Sequence, residues 1–259
     1  MPDRSSSDLC ICHACEEAGM KLKVTRIEVD SAYSEGRSCT FGFVSDLHNG
    51  PYQDALAAVS GVDAILVAGD MLDRHHPGME NASGFLKAAP EVAPVYLSLG
   101  NHEVRSDEWP AFRKLIEASS AVLLDDEVTV FKGIVLGGLT SREKERHRLE
   151  EDEIPSIVRF VETMASMKGF KLLLCHHPEY YERCIRGHGI DLTLSGHAHG
   201  GQVQLFRHGL YAPGQGLFPR YTDGFYDDDH LLVNRGMTNS TWAPRLWNPC
   251  EVILLTVRY

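Results

Sequence analysis

The chain has 259 residues, of which 43% are apolar and 24% are charged, and its formal net charge is −11. This length allows one domain with a full core or two small ones, and the composition excludes a disordered chain. The negative charge argues against broad electrostatic capture of nucleic acid but not against a small phosphorylated substrate, because bound metal cations would invert the local field.

The first residues predict an N-terminal extension of unassigned role at 1–35, ahead of a main domain at 36–259. A short cluster of cysteine and histidine in this extension leaves two readings open, an incidental role and a soft-metal or redox role. Its members are Cys10, Cys12, His13 and Cys15. No apolar segment follows Met1–Asp8, and no run of about 18 apolar residues occurs, so we expect neither an export signal nor a membrane span. A cytoplasmic protein is the expectation, with peripheral membrane association left open.

Short β-rich apolar runs that each end in a polar cluster predict buried strands at Cys39–Val44, Ala64–Ala68, Val95–Leu99, Lys171–Cys175 and Asp191–Leu194. The C-terminal tail predicts further strands, most clearly at Leu231–Val233 and Val252–Val257. Helical spacing is predicted for Tyr52–Ser60 and Glu108–Ser119, the latter with Trp109, Phe112, Leu115 and Ile116 on one face. Strands that alternate with helices predict a layered α/β domain. The charged stretch Ser141–Glu153 is predicted to be a solvated helix or loop.

Five polar clusters follow the carboxyl ends of predicted strands. They are Asp46-Leu47-His48, Gly69-Asp70-Met71-Leu72-Asp73, Gly100-Asn101-His102-Glu103, His176 and Gly196-His197-Ala198-His199. Ligands of open α/β sheets bind beyond the carboxyl ends of the strands, so we expect the clusters to face one cleft. Because alternate side chains of an extended segment project the same way, Asp46 and His48 are expected to converge on one ion.

The donor chemistry of these clusters predicts two metal ions. Carboxylate, amide and imidazole donors suit Mn²⁺, Fe or Zn²⁺, and the lack of cysteine disfavours a structural zinc site. The candidate ligands are Asp46, His48, Asp70, Asn101, His176, His197 and His199. Seven ligands are too many for one tetrahedral ion but suit two ions about 3.5–4 Å apart that share a carboxylate. Each motif alone has a structural explanation as a turn or a surface pair. That explanation would require five coincidences in order, each after an apolar strand.

Together the motifs resemble the signature of the calcineurin-like metallophosphoesterases, from about Thr40 to the C-terminus. The segment Gly196–Gln202 and the stretch Tyr211–Arg220 are similar to a bacterial branch of often membrane-associated phosphohydrolases, some of which act on UDP-diacylglucosamine. The family implies a four-layer αββα sandwich of two packed mixed β-sheets and makes 36–259 a metallophosphoesterase domain. The N-terminus departs from that branch, whose members commonly begin with a membrane anchor or an export signal.

The resemblance also implies roles for individual residues. One metal would be held by Asp46, His48 and His199. The second would be held by Asn101, His176 and His197, with Asp70 bridging both. His102 would face the phosphate and stabilise charge or protonate the leaving oxygen, and Asp73 would orient His102. The implied cofactors are two divalent ions, with Mn²⁺ favoured and Fe, Zn²⁺ or a mixed pair as alternatives.

The expected reaction is hydrolysis of a phosphomonoester or phosphodiester by in-line attack of a hydroxide that bridges the two ions. The expected substrate is a phosphorylated small molecule or a lipid-linked phosphate, and the oligomeric state is left open. Two other functions compete. A nuclease is disfavoured by the acidic charge and the lack of a basic, aromatic-interleaved tract. A non-catalytic metal-binding scaffold for a protein partner is disfavoured by the complete ligand set.

Three neighbouring features keep two readings each. His177 is expected to point away from the cleft or to support a ligand. His75 and His76 lie on a predicted loop, where histidines are commonly exposed, but they could touch substrate. A cluster of apolar and aromatic residues follows the last histidine motif and could line the site or only pack a loop onto the body. Its members are Phe206, Leu210, Tyr211, Leu217, Phe218, Tyr221, Phe225 and Tyr226.

Overall fold

The computed structural model describes residues 7–9, 22–31, 36–143, 149–206, 208–239 and 244–259. Two mixed β-sheets, of seven and six strands, pack face to face, and two small hairpins lie beside them. Helices cover the outer face of each sheet, which confirms the predicted αββα sandwich. The candidate cysteine–histidine cluster at 10–15 lies outside the described residues, and the role of 1–35 stays a prediction.

The seven-stranded first sheet has the order β1-β2-β17-β3-β4-β5-β6. Its strands are β1 (Ser7–Leu9), β2 (Leu22–Asp30), β3 (Ser38–Val44), β4 (Ala64–Ala68), β5 (Val95–Ser98), β6 (Val122–Leu123) and β17 (Cys250–Arg258). Strands β3 to β6 are parallel, so their carboxyl ends share one edge. Strand β17 runs parallel to β2 and antiparallel to β3.

The six-stranded second sheet has the order β15-β16-β10-β9-β8-β7. Its strands are β7 (Glu127–Phe131), β8 (Ile134–Leu139), β9 (Lys171–Cys175), β10 (Leu192–Ser195), β15 (Gly224–Tyr226) and β16 (Leu231–Val233). The central four, β8, β9, β10 and β16, are parallel. Two hairpins, β11 (Gln204–Leu205) with β12 (His208–Gly209) and β13 (Tyr211–Ala212) with β14 (Gly216–Leu217), lie between β10 and β15 in the chain.

Helices flank both sheets, and the two sheets divide the apolar core into three layers. They are α1 (Gln53–Ala58), α2 (Glu80–Val92), α3 (Asn101–Val104), α4 (Trp109–Ala118) and α5 (Ile154–Ala165). One apolar layer joins α1, α2 and α4 to the first sheet, a second fills the space between the sheets, and a third joins α5 to the second sheet. In α4, Phe112 and Ile116 are buried and Trp109 and Leu115 pack against the same layer, as predicted.

Several elements lie outside the predicted set. Strands β2, β7 and β8 and helices α2 and α5 were not predicted, and β2 falls within the segment assigned to the extension. The predicted solvation of Ser141–Glu153 is wrong at its start, because Ser141 and Glu143 are buried. Among the described helices, none has the length and apolar character needed to cross a bilayer.

Candidate metal centre

The loop after β3 carries two of the candidate ligands in left-handed backbone conformation. Strand β3 ends at Val44, and Asp46 and His48 follow with φ of 54° and 45°. Their N–H groups donate to the carbonyl oxygens of Gly69 and Asp70 at 3.1 and 3.0 Å, so the loop after β4 holds them in place. The two side chains therefore converge as predicted, but they do so through a turn. The predicted cause, the alternation of side chains along an extended segment, is wrong.

The same backbone conformation recurs at three more candidate ligands. Asp70, His197 and His199 have φ of 55°, 66° and 47°. For a residue other than glycine, a left-handed backbone conformation costs of order 1–3 kcal/mol. It persists only where the surrounding structure enforces it. Five such residues at the ends of strands from both sheets mark this edge of the sandwich as a constrained site.

Asp46 and His176 join the strand ends of the two sheets. The carboxylate of Asp46, from the first sheet, accepts a hydrogen bond from the N–H of His197, at 3.1 and 3.2 Å from its two oxygens. Gly196 permits this approach, since a Cβ there would lie 2.4 Å from Asp46 Oδ2. In return, His176 of the second sheet donates from Nδ1 to the Ala68 carbonyl at 2.7 Å. The clusters therefore face one another across the sheet interface.

Asp46, His48 and His199 form the first ligand group. Nδ1 of His48 lies 3.2 Å from the Leu72 carbonyl oxygen, and Nδ1 of His199 lies 3.2 Å from that of Thr238. With Nδ1 as the donor, Nε2 of each ring carries the lone pair, as in metal-binding histidines. These Nε2 atoms lie 3.8 and 3.6 Å from Asp46 Oδ1. Such separations are too long for hydrogen bonds and suit donors arranged around one ion.

Asp70, Asn101, His176 and His197 form the second ligand group. Among the described residues, Asn101 Oδ1 and His197 Nε2 are buried without a hydrogen-bond partner, and His176 Nε2 faces the Asp70 carboxylate. Buried polar atoms are rarely left unpaired, so the two unpaired atoms need a partner of another kind. One donor atom each from Asp70, His176 and His197 lies within 4.8 Å of the others. Amide, carboxylate and imidazole donors fit a divalent transition metal at this position.

Asp70 lies between the two ligand groups. Its Oδ2 is 3.0 Å from His176 Nε2 of the second group and 3.8 Å from His48 Nε2 of the first. Its Oδ1 accepts a hydrogen bond from the N–H of His102 at 2.8 Å, which fixes the carboxylate. The residues present therefore fit a pair of ions that share one carboxylate. All nine site residues predicted from the sequence are brought together, and none is more than 6% exposed.

Burial and charge act against each other on these groups. Burial alone would lower the pKa of the His176 imidazole, but the negative charge of Asp70 outweighs it and raises this pKa to about 10. Burial alone would likewise raise the pKa of the Asp46 carboxyl, but His199 and His48 hold it below its usual value. The site without metal is thus a cluster of carboxylates that attracts cations, a proton included.

Glu103 shapes the site without being a candidate ligand. Its carboxylate accepts hydrogen bonds from the N–H groups of Asp70, Leu72 and Gly100, each at 2.9 Å. One buried side chain therefore fixes the loops after both β4 and β5. Glu103 belongs to one of the motifs found in the sequence, but no role was predicted for it. Gly100 directly precedes α3, and Glu103 follows it by three residues. This spacing is typical of a capping box and could have indicated the role of Glu103.

Residues after β16 also position the ligands and were missed. Thr238 donates its hydroxyl to the Asp46 carbonyl at 3.1 Å, and its own carbonyl faces His199. Asn248 donates to the His199 carbonyl at 2.7 Å, and the half-buried guanidinium of Arg245 donates to the Thr238 carbonyl at 2.7 Å. These polar residues are isolated in the sequence and belong to no motif, so no local signal could have found them.

His102 and Asp73 occupy the rim of the ligand groups. His102 Nε2 lies 4.0 Å from Asp70 Oδ2, and its Nδ1 accepts a hydrogen bond from the Arg74 N–H at 3.2 Å. Asp73 lies 3.6 Å from His102 Nδ1, beyond hydrogen-bond distance, and instead bonds His76 Nδ1 at 2.8 Å. Burial lowers the pKa of His102. The neutral ring therefore carries its proton on Nε2, on the side of the ligand groups.

A cavity of about 800 Å³ opens over both ligand groups. His75 and His76 are exposed and line it, so contact with substrate stays a prediction for both. On the other side it is bounded by Tyr211, Pro213 and Gly214 of the β13–β14 hairpin. The cavity thus lies between the loops of the first sheet and a hairpin that follows the second sheet's last histidine motif.

The apolar cluster after the last histidine motif divides between the two readings. Tyr221 is buried, Phe225 and Tyr226 pack against the core layers, and Tyr211 lines the cavity. Other members are exposed, with Phe206, Leu217 and Phe218 at 87%, 73% and 79%. Part of the cluster therefore packs the loop onto the body of the protein, and Tyr211 is the one of these described residues that lines the cavity.

His177 is buried behind the second ligand group. Its ring lies edge-on to His176 and His197, with centroids 5.1 and 4.3 Å away, and its Nε2 is 2.7 Å from Ser141 Oγ. Two carboxyl groups face it, and burial raises the pKa of Glu143 to about 7 and that of Glu179 to about 8. His177 thus supports two candidate ligands, which is one of the two readings predicted for it.

A model of the calcineurin-like phosphoesterase family matches residues 39–201, more than half of the chain. The chain belongs to this family. Phosphodiesterase YaeI of Escherichia coli is 25% identical and aligns over 97% of this chain and 93% of its own length. An uncharacterised metallophosphoesterase of Aquifex aeolicus is 25% identical over 83% of each chain. The protein YpbG of Bacillus subtilis is 25% identical over 84% of this chain and 80% of its own.

Membership of the calcineurin-like phosphoesterases confirms the resemblance read from the motifs. The family and the two ligand groups together support a phosphoesterase, and hence a hydrolase, that binds divalent metal. All seven candidate ligands fall within the matched residues, whereas Thr238, Arg245 and Asn248 lie beyond them.

Proposed function

We propose that the chain hydrolyses phosphomonoesters or phosphodiesters with two divalent metal ions. The observation that carries this proposal is the position of Asp70, whose Oδ2 lies 3.0 Å from His176 Nε2 and 3.8 Å from His48 Nε2. A carboxylate between two ligand groups is the arrangement that two-metal phosphatases use. Mn²⁺ is our first choice, with Fe, Zn²⁺ or a mixed pair as alternatives.

The ligands divide into two sets about the shared carboxylate. The first ion would be held by Asp46, His48 and His199. The second would be held by Asn101, His176 and His197, with Asp70 common to both. When bound, such a pair lowers the pKa of a water and neutralises charge on phosphate oxygens. The left-handed backbone at five of these residues and the Glu103 hydrogen bonds hold the donors in place before metal arrives.

His102 would act as a hydrogen-bond donor to the phosphate or to the leaving oxygen. Its Nδ1 accepts from the Arg74 N–H, so the neutral ring has its proton on Nε2. A neutral imidazole that gave this proton away would become an anion, whereas one that only donates a hydrogen bond stays neutral. Charge stabilisation is therefore favoured over full proton transfer. Asp73, bonded to His76 and to the His75 N–H, would hold the loop beside His102.

The cavity favours a small phosphorylated compound over a polymer. Its volume of about 800 Å³ is in the range of small-molecule sites, and the net charge of −11 disfavours a polyanionic substrate. The name of YaeI, a phosphodiesterase, favours a diester as the first substrate class to assay. A lipid-linked phosphate remains within the proposal, since the hairpin beside the cavity carries exposed Leu217.

The test is hydrolysis of p-nitrophenyl phosphate and bis(p-nitrophenyl) phosphate by protein loaded with Mn²⁺. We expect turnover of at least one of them, and a fall in kcat of about 10³-fold or more in Asp70→Asn, because the bridging charge is lost. The exposed Asp107→Asn is the matched control and should retain full activity. The proposal would be refuted if Asp70→Asn turned over substrate as fast as the wild-type protein at equal metal content. Inert wild-type protein with two bound ions would favour the scaffold function.

A further inference from the structure

A second cluster of titratable groups lies beside His197, borders the cavity through Glu143 and has no role in the proposed reaction. We call Glu143, His177 and Glu179 the Glu–His cluster. Nδ1 of His177 is 3.7 Å from Glu143 Oε1 and 3.9 Å from Glu179 Oε2. One donor atom each of Glu143, His177 and His197 lies within 4.8 Å of the others. Glu143 and His177 therefore have the spacing of a ligand set together with His197, and Glu179 joins them through its approach to His177 Nδ1.

Three polar atoms of this cluster are buried and unpaired. Among the described residues, His177 Nδ1 and both carboxylate oxygens of Glu179 have no hydrogen-bond partner. His177 is 1% exposed and Glu143 is 5% exposed, whereas the Glu179 side chain is 27% exposed although its two oxygens are buried. Buried carboxylates are normally paired with cations or bound to metals. The nearby Arg142 does not fill this role, because its guanidinium is paired with Asp126 at 2.6 Å. Burial raises the pKa of Glu143 to about 7 and outweighs the positive charges of Arg105 and Arg74, which lower it.

The hydrogen bond on the other side of the His177 ring fits a ligand. Its Nε2 is 2.7 Å from Ser141 Oγ. A metal-binding histidine characteristically donates its second N–H to such a partner, which leaves the first nitrogen with a lone pair. If Nδ1 instead carried the proton, one of the two carboxylates should lie within hydrogen-bond distance, yet both lie beyond 3.5 Å.

We propose that Glu143, His177 and Glu179 hold a third divalent cation, separate from the pair at Asp70 and beside it. Donors bound at about 2.1 Å in a tetrahedron lie about 3.4 Å apart, so each carboxylate needs to move only a few tenths of an ångström toward His177 Nδ1. One imidazole and two carboxylates suit Zn²⁺, Mn²⁺ or Fe²⁺. His197 closes the side of the cluster that faces the pair. This site goes beyond the phosphoesterase function and does not depend on it.

The first experiment counts ions in the full-length protein. Wild-type protein and the isosteric double variant Glu143→Gln, Glu179→Gln are loaded with Zn²⁺, desalted and analysed by inductively coupled plasma mass spectrometry. We expect three ions per chain in the wild type and two in the double variant. Glu162→Gln, which changes an exposed glutamate, is the control and should retain three. Two ions in the wild type, or three in the double variant, would overturn the proposal.

A second measurement locates the ion without any substitution, so it holds even if the double variant fails to fold. Crystals of the wild-type protein grown with Zn²⁺ are measured at the zinc absorption edge. We expect an anomalous peak about 2.1 Å from His177 Nδ1, in addition to the two peaks around Asp70. Peaks at Asp70 with no peak at His177 would overturn the third site and leave the proposed function intact. The reverse pattern would remove the pair and leave the third site standing.

Discussion

At the scale of single residues, Glu103 controls the loops that present the metal ligands. Its carboxylate is the acceptor for three buried N–H groups, those of Asp70, Leu72 and Gly100. In Glu103→Ala these donors would be left unpaired, and each unsatisfied group costs about 1–3 kcal/mol. We expect the free energy of unfolding to fall by about 3 kcal/mol or more, measured by urea denaturation.

A second glutamate provides the control for that experiment. Glu117 is exposed and forms an i,i+4 pair with Arg113 on α4. Glu117→Ala should change the free energy of unfolding by about 0.5 kcal/mol or less, because exposed ion pairs contribute little. Equal effects of the two substitutions would show that the Glu103 hydrogen bonds do not determine the stability of these loops.

A substitution of His102 tests whether neighbouring residues have different roles, with Asn101 binding metal and His102 acting in catalysis. Asn101 is a proposed ligand, whereas His102 reaches Asp70 only through its N–H and lies at the rim with Nε2 toward the site. His102→Ala keeps that N–H, so we expect both ions of the pair to remain while kcat falls about 10²–10³-fold, as for loss of one charge-stabilising donor. Metal content and turnover are measured on the same sample. Loss of an ion in this variant would contradict the role proposed for His102.

At the scale of elements, the turns after β4 and β5 are packed so closely that only glycine fits. Gly69 has φ of 76°, and a Cβ there would lie 2.5 Å from the nitrogen of Gly100 and 3.1 Å from His176 Nδ1. Gly69→Ala should therefore separate the two turns and displace a ligand. We expect the affinity for Mn²⁺ to fall about tenfold or more, measured by isothermal titration calorimetry, because ligand geometry sets metal affinity.

Gly61 separates backbone strain from steric contact. It has φ of 83°, close to that of Gly69, but a Cβ there would meet nothing within 4 Å. Gly61→Ala therefore carries the same conformational cost without the clash, and it should lower stability without changing metal affinity. If both variants bound Mn²⁺ equally well, the close approach at Gly69 would not matter for the site.

The elements found from the sequence are those whose pattern is local. Strands β4 and β9 were predicted with their observed bounds, because unbroken apolar runs that end in polar clusters mark buried parallel strands. Strand β2 was missed because its alternating residues read as part of the polar N-terminal segment. Its place beside β17 depends on a pairing between the two ends of the chain, across more than 200 residues. No local pattern encodes such a pairing.

The same limit applies to the site. The candidate ligands were found because five motifs with metal-binding chemistry follow five strands in order. What holds the ligands was not found, since Thr238, Arg245 and Asn248 act from a distant segment through backbone carbonyls. The backbone reason was also missed, because the left-handed φ of Asp46 and His48 is set by hydrogen bonds to the loop after β4. Local sequence predicts donor types, and long-range packing determines their orientation.

At the scale of the whole molecule, the metal pair would act as a clamp between the two sheets. Asp46 and Asp70 come from the first sheet and His176, His197 and His199 from the second, so each proposed ion takes ligands from both. Removal of metal with a chelator should therefore lower the Tm, and the size of the drop should depend on pH. Binding to the folded state alone stabilises it in proportion to the logarithm of ligand concentration over Kd.

The sign of that pH dependence follows from His176. Its pKa is raised to about 10 in the metal-free protein by Asp70, against the effect of burial, so near neutral pH the ring holds a proton. This proton stabilises the metal-free fold fully below about pH 6.5, and the effect is lost as pH rises toward 10. Metal needs the neutral ring, so binding releases the proton and weakens as pH falls. The Tm gained on adding Mn²⁺ should therefore be larger at pH 8.5 than at pH 6.5.

The measurement is differential scanning calorimetry of metal-loaded and chelated protein at both pH values, with His188→Asn as the control. His188 is 32% exposed and lies away from the ligand groups, next to Glu162. Its variant should keep the wild-type pH dependence, whereas His176→Asn should lose much of it together with one ion. A metal-dependent Tm gain that is the same at pH 6.5 and 8.5 would mean that metal does not displace a proton. The two sheets would then not be held together by a metal ion that replaces the proton between His176 and Asp70.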